Sequence, residues 1–161
     1  MNKTDKIFWI AVIICLGFWA SHLNVLAPIH EFGHILSAFL TGGYGVIVGW
    51  STCGLSGGND FIETISGYIA ELLFMIFISY KVIKKKTKKY KISYNLTLAF
   101  IIGYLFDLMY QVVMGEDTDY LYTNYGELAG MRVVSSIIVL IVFLIITDFY
   151  CLKDIRNTRK R

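Results

Sequence analysis

The chain has 161 residues, of which 56% are hydrophobic and 17% charged, with a single proline and a net charge of +3. That balance excludes a disordered chain, a collagen-like fibre and an ordinary soluble domain, whose apolar share is nearer about 45–50%. No lysine or arginine lies between Ile7 and Tyr80, and only Arg132 lies between Ile92 and Leu152. The basic residues gather at Lys3 and Lys6, in the run from Lys81 to Lys91, and in the tail 153–161. This layout points to anionic lipid headgroups and away from nucleic acid. The expected fold is an all-α polytopic membrane protein, with residues 1–161 forming one integral-membrane domain.

Four stretches reach the roughly 20 apolar residues needed to cross a hydrocarbon core. They are 7–27, 61–83, 93–114 and 131–151. The first also has the outline of a secretory signal peptide, because Lys3 and Lys6 precede it. Its apolar run is longer than the roughly 7–15 residues of a usual signal core, which favours a span. The positive-inside rule then predicts a multi-pass protein with both termini in the cytoplasm, together with the cluster Lys84, Lys85, Lys86, Lys88 and Lys89. Segments 28–60 and 115–130 are left on the opposite side, and these two hold the polar residues of interest.

Residues 42–60 differ from the rest: Gly42, Gly43, Gly45, Gly49, Gly54, Gly57 and Gly58 interleave with Tyr44, Val46, Ile47, Val48 and Trp50. Glycine at this density opposes helix, while β-branched and aromatic residues favour short strands. A small β-like insertion is expected, shielded by protein or lining a wet cavity. The three cysteines, Cys15, Cys53 and Cys151, form no C-x-x-C pair and suggest neither a disulfide framework nor a cysteine zinc site.

His30-Glu31-Phe32-Gly33-His34 is an H-E-x-x-H sequence on an expected helix of about residues 28–41. Residues i and i+4 share one helix face, so His30 and His34 can offer two imidazoles to one ion. Glu31 beside them is a candidate catalytic residue, a carboxylate able to accept a proton from water and pass it to a leaving amine. Composition alone would produce such a pattern in only about 0.002 of chains like this one, so chance is a poor explanation. One Zn2+ ion suits these ligands, and a catalytic zinc takes three protein ligands and leaves one position for water.

For the third ligand, Asp107, Glu116, Asp117 and Asp119 lie on the same side as the motif. Asp107 is an acid within a span. Asp117 lies ten residues later, where that span must end. Ten residues of helix cover about 15 Å, so both reach one ion only if the helix breaks between them. A solvated acidic loop is the plain alternative for the Glu116, Asp117 and Asp119 cluster. His22 fits a packing or interface role, and Glu71, buried by any reading of its span, either supports an imidazole N–H or bonds across to a neighbouring helix.

Residues 28–43, Pro28-Ile29-His30-Glu31-Phe32-Gly33-His34 through Ala38 to Gly42-Gly43, resemble the signature helix of the site-2 protease group of intramembrane zinc metalloproteases. The glycine-rich stretch that follows is similar to that group's membrane-embedded β-region. Ser66-Gly67-Tyr68-Ile69-Ala70 is similar to its small-residue helix start, with Tyr68 where proline is usual. Phe106-Asp107-Leu108 followed by Gly115-Glu116-Asp117 resembles the segment that brings the family's metal-binding aspartate. The resemblance implies zinc held by His30, His34 and Asp117, with Asp107 where the family has an asparagine and Glu31 as the catalytic base; the position of Asp107 within its span keeps it as the alternative third ligand. Neither proline nor glycine flanks Asp117, unlike the family pattern.

The expected activity is that of a zinc endopeptidase that hydrolyses peptide bonds in or near transmembrane segments of membrane-protein substrates. Its partners are the lipid bilayer and a substrate segment that is locally unwound or extended, with the active site toward the non-cytoplasmic side. Two other classes fit the same residues. In one, a non-catalytic zinc protein binds or chaperones membrane helices, its ion closed off by His22, Asp107 or Cys53. In the other, a small transporter or channel subunit uses Asp107 and Glu71 as an ion path.

Overall fold

The structure is a computed structural model that describes residues 3–84 and 91–157. Among these residues the order of elements is α1 (Lys3–His22), α2 (Ala27–Leu40), β1 (Tyr44–Gly49), β2 (Thr52–Ser56), α3 (Asp60–Lys84), α4 (Lys91–Met114), α5 (Glu116–Tyr125) and α6 (Glu127–Asn157). The lysines of the expected cytoplasmic cluster at 85, 86, 88 and 89, and the tail residues 158–161, lie outside the described residues. Three segments are long and apolar enough to cross a membrane: Asp60–Val82, Asn95–Tyr125 and Glu127–Tyr150. A fourth crossing arises if α1 and α2 are one bent span.

The first expected span therefore ends earlier than the hydropathy suggests. Helix α1 stops at His22, and after a four-residue break α2 leaves at a bend of 47°. Asn24 turns the chain in the left-handed region at φ +52°. Pro28 then stands in the first turn of α2, where no backbone N–H is needed for the helix ladder. The apolar run 7–27 hid this break because Leu23, Val25 and Leu26 continue the hydropathy through it.

The main core lies between α3, α4 and α6. Tyr68, Leu72 and Met75 meet Leu98, Ile101, Leu105, Leu108 and Val112, with Val134, Ile137, Ile141 and Leu144 opposite. These residues recur at three- and four-residue steps, the spacing of one helix face. Helix α1 packs on the other side of α4. Gly17 faces the backbone of Phe100 and Gly103 faces the backbone of Ile14, and a Cβ at either position would collide with main chain. Small residues at such a contact allow the close helix approach typical of membrane bundles. Phe8, Trp9, Trp19, Phe77, Phe143 and Phe149 point outward, an apolar exterior suited to lipid.

Between α2 and α3 the chain forms an antiparallel hairpin, with Tyr44 opposite Ser56 and Ile47 opposite Cys53, and a bulge between Ile47 and Gly49. The strands are shorter than the 42–60 stretch because Gly57 and Gly58 both take positive φ and turn the chain out of β2. Asn59 then caps α3, its Oδ1 accepting from the Ile62 N–H at 3.1 Å. Helix α4 ends at Met114, and Gly115 in extended conformation starts the separate helix α5.

Candidate metal centre

Helix α2 buries Ala27, Glu31, Gly33, His34, Ser37 and Ala38, a single stripe that packs against the start of α3. Gly33 makes the approach close: a Cβ there would lie 2.7 Å from that of Ala70. Ser37 Oγ and Ser66 Oγ are 2.8 Å apart and hold the two helices at this level. The motif histidines are thereby aimed across α3 toward the α4–α5 junction.

Both imidazoles have one nitrogen occupied by the surrounding helices. His34 Nδ1 donates to the Glu63 carbonyl at 2.6 Å. His30 Nδ1 lies 2.9 Å from Glu71 Oε1. The other nitrogens converge on one carboxylate: His30 Nε2 is 3.0 Å and His34 Nε2 3.4 Å from Asp117 Oδ2. His30, His34 and Asp117 thus offer three ligand atoms within 4.8 Å of one another, a group that can hold a metal ion. Two imidazole nitrogens and one carboxylate oxygen are a common donor set for a divalent transition metal.

Asp117 reaches this place because the helix breaks. Gly115 ends α4, and Asp117 stands in the first turn of α5. Thr118 is buried beside it and donates to the Val112 carbonyl at 2.7 Å, which fixes α5 against the end of α4.

Asp107 is not brought to the imidazoles. It is fully buried between α1 and α4, where Oδ2 accepts from Gln111 Nε2 at 2.7 Å and Oδ1 lies 3.5 Å from His22 Nδ1. Gln111 also donates to the Ser21 carbonyl at 3.1 Å, so Asp107 belongs to a polar contact that joins the two helices. The helix does break between the two acids, at Gly115, but Asp107 lies about two turns before the break and its carboxylate is turned to the α1 contact with Gln111 and His22.

A cavity of about 880 Å³ opens over the three ligand residues. Glu31, only 8% exposed, lines it, as do Cys53, Glu71 and Tyr68. Cys53 on β2 stands against the Glu31 carboxylate. Burial, followed by that carboxylate, pushes the Cys53 thiol up to about 12. His22 and Cys53 line the cavity but stand outside the group of ligand atoms. Glu116 lies at the cavity wall and is exposed, and Asp119 is exposed to solvent one turn into α5.

Sequence reasoning missed Tyr104, Gln111 and the Glu63 carbonyl. Tyr104 O–H donates to Glu71 Oε2 at 2.8 Å, and Tyr68 O–H donates to the Gln111 carbonyl at 3.1 Å. A signal did exist for the first two, since Tyr104, Asp107 and Gln111 recur at helical spacing as polar groups in an apolar helix. A backbone carbonyl leaves no such trace.

Comparison of the chain with protein-family models, curated proteins and solved structures gave no match.

Proposed function

We propose that this protein is an intramembrane zinc endopeptidase that cleaves membrane-protein substrates in or near their transmembrane segments. The carrying observation is the convergence of His30 Nε2, His34 Nε2 and an Asp117 oxygen within 4.8 Å, beneath a cavity that Glu31 also lines. The donor set fits zinc, and three protein ligands are the number that leaves a position for water. Zinc would supply Lewis acidity, polarising an amide carbonyl and bringing the acidity of water toward about pH 7.

The chain's own residues do the rest. Glu31 follows His30 directly and lines the same cavity; it takes a proton from the attacking water, later giving it to the departing amine. The helices around the site shield it from lipid, while the cavity admits water. A substrate segment must be extended for its amide to reach the bottom of that cavity. Among the described residues the hairpin beside α2 is a two-stranded sheet, to whose edge such a segment can add as a further strand. The basic runs support an orientation with the Lys84 end of the bundle in the cytoplasm and the cavity end on the other side.

The test is a membrane-tethered reporter combined with Glu31→Gln. The variant is expected to keep stoichiometric zinc while cleavage falls by roughly 10²–10⁴-fold, the usual share of a general base. Undiminished cleavage would remove Glu31 from the reaction. Zinc held with no cleavage by the unaltered protein on any tethered segment would favour a binding protein of the same architecture.

A further inference from the structure

We infer that Glu71 and Tyr104 are positioning residues that fix the orientation of His30, so that α3 and α4 set the affinity of the site for its ion. The inference rests on the reading of His30, His34 and Asp117 as metal ligands.

An imidazole that binds a metal through Nε2 keeps its remaining proton on Nδ1, and the partner of that N–H decides how the ring stands. For His34 the partner is the Glu63 carbonyl, a backbone atom that no side-chain substitution removes. For His30 it is Glu71 Oε1 at 2.9 Å. The second oxygen of the same carboxylate is held by Tyr104 O–H at 2.8 Å. With both oxygens engaged, the Glu71 carboxylate has one orientation, and His30 inherits it.

The arrangement is built into the packing. Glu71 is 4% and Tyr104 2% exposed, so neither contact competes with bulk water. Glu71 lies one turn beyond Gly67 and Tyr68 on the same face of α3. Gly67 sits against the His30 ring, and Tyr68 meets it edge-on with ring centres 5.1 Å apart. One helix face thus supplies a floor, a wall and an acceptor for a single imidazole. Outer partners of this kind change metal affinity by roughly 10–100-fold.

The experiment uses the full chain in detergent, with zinc affinity measured by chelator competition and 15N-histidine spectra recorded on the zinc-loaded protein. In the unaltered protein His30 is expected to show a protonated Nδ1 and a metal-bound Nε2. Glu71→Ala should weaken zinc by roughly 10–100-fold, and Tyr104→Phe by less. Glu71→Gln, which retains an acceptor for Nδ1–H, should recover most of the affinity and the same histidine spectrum. A general packing defect would instead lower the unfolding temperature of the zinc-free protein without this order of affinities.

Unchanged zinc affinity in Glu71→Ala, or a His30 bound through Nδ1, overturns the assignment. If Glu71→Ala does not fold, the spectrum of the unaltered protein and the Tyr104→Phe affinity decide it. His30→Ala separates the two levels of the argument. Zinc retained there removes His30 from the ligand set and this inference with it. Zinc lost there but unaffected by Glu71→Ala overturns only the role of Glu71 and Tyr104.

Discussion

Gly67 lies directly against the His30 ring: a Cβ built on it would stand 2.6 Å from both Cδ2 and Cε1 of the imidazole. The glycine is needed for space and not for backbone freedom, since it sits inside the regular helix α3. The ring cannot swing aside without leaving Glu71 or Asp117.

Gly67→Ala is therefore expected to weaken zinc more than it weakens the fold. Overpacking of this type costs about 1–3 kcal/mol, and here the strain falls on a ligand that gives way by rotating. Chelator competition should show a loss of roughly 5- to 150-fold in affinity if the whole of that cost appears in binding. The unfolding temperature of the zinc-free protein should change little. Wild-type affinity in Gly67→Ala would mean that the ring has room that the packing denies.

The two acids of the α4–α5 region should separate cleanly. Asp117→Asn removes an anionic ligand atom that faces both imidazoles, and zinc should weaken by more than the roughly 10–100-fold typical of losing an outer partner. Asp107→Asn keeps an oxygen for Gln111 Nε2 and lies outside the ligand group, so zinc content should remain stoichiometric. Metal analysis of both purified variants checks this. Loss of zinc from Asp107→Asn alone would reverse the assignment of the third ligand.

The parts of this site that were legible in the sequence are those carried by short-range spacing. His30 and His34 share a helix face by their four-residue separation, and the buried position of Glu71 followed from its span. Asp117 was reached through a resemblance, because an acid at the end of an apolar run otherwise reads as a solvated loop. What brings it to the histidines is the break at Gly115, and a single glycine in an apolar segment does not announce the end of one helix and the start of another. The break after His22 was hidden in the same way, since leucines and a valine carry the hydropathy across it. Tyr104 and Glu71 are 33 residues apart in the chain, and their contact exists only once α3 and α4 are packed. The bundle itself was easier to read: three of the four expected spans are helices long and apolar enough to cross a membrane, and the fourth depends on counting α1 and α2 as one bent span.

Cys53 offers a chemical probe of the cavity from the hairpin side. Only the thiolate reacts with alkylating reagents, and burial together with the Glu31 carboxylate pushes this thiol up to about 12. A raised pKa means the neutral thiol persists through the ordinary range, so in the zinc-free protein far less thiolate is present at pH 8 than for an unperturbed cysteine. In a protein with Cys15 and Cys151 replaced by alanine, alkylation by a small neutral reagent should be slow at pH 8. Its rate should climb about tenfold for each unit up to pH 10, with no plateau. Glu31→Gln should speed the reaction at pH 8, since removing the neighbouring negative charge lowers the cost of forming the thiolate. A plateau near pH 8.5, or a rate indifferent to Glu31→Gln, would mean that β2 does not hold Cys53 against the carboxylate. The hairpin would then stand further from the floor of the cavity than the structure places it.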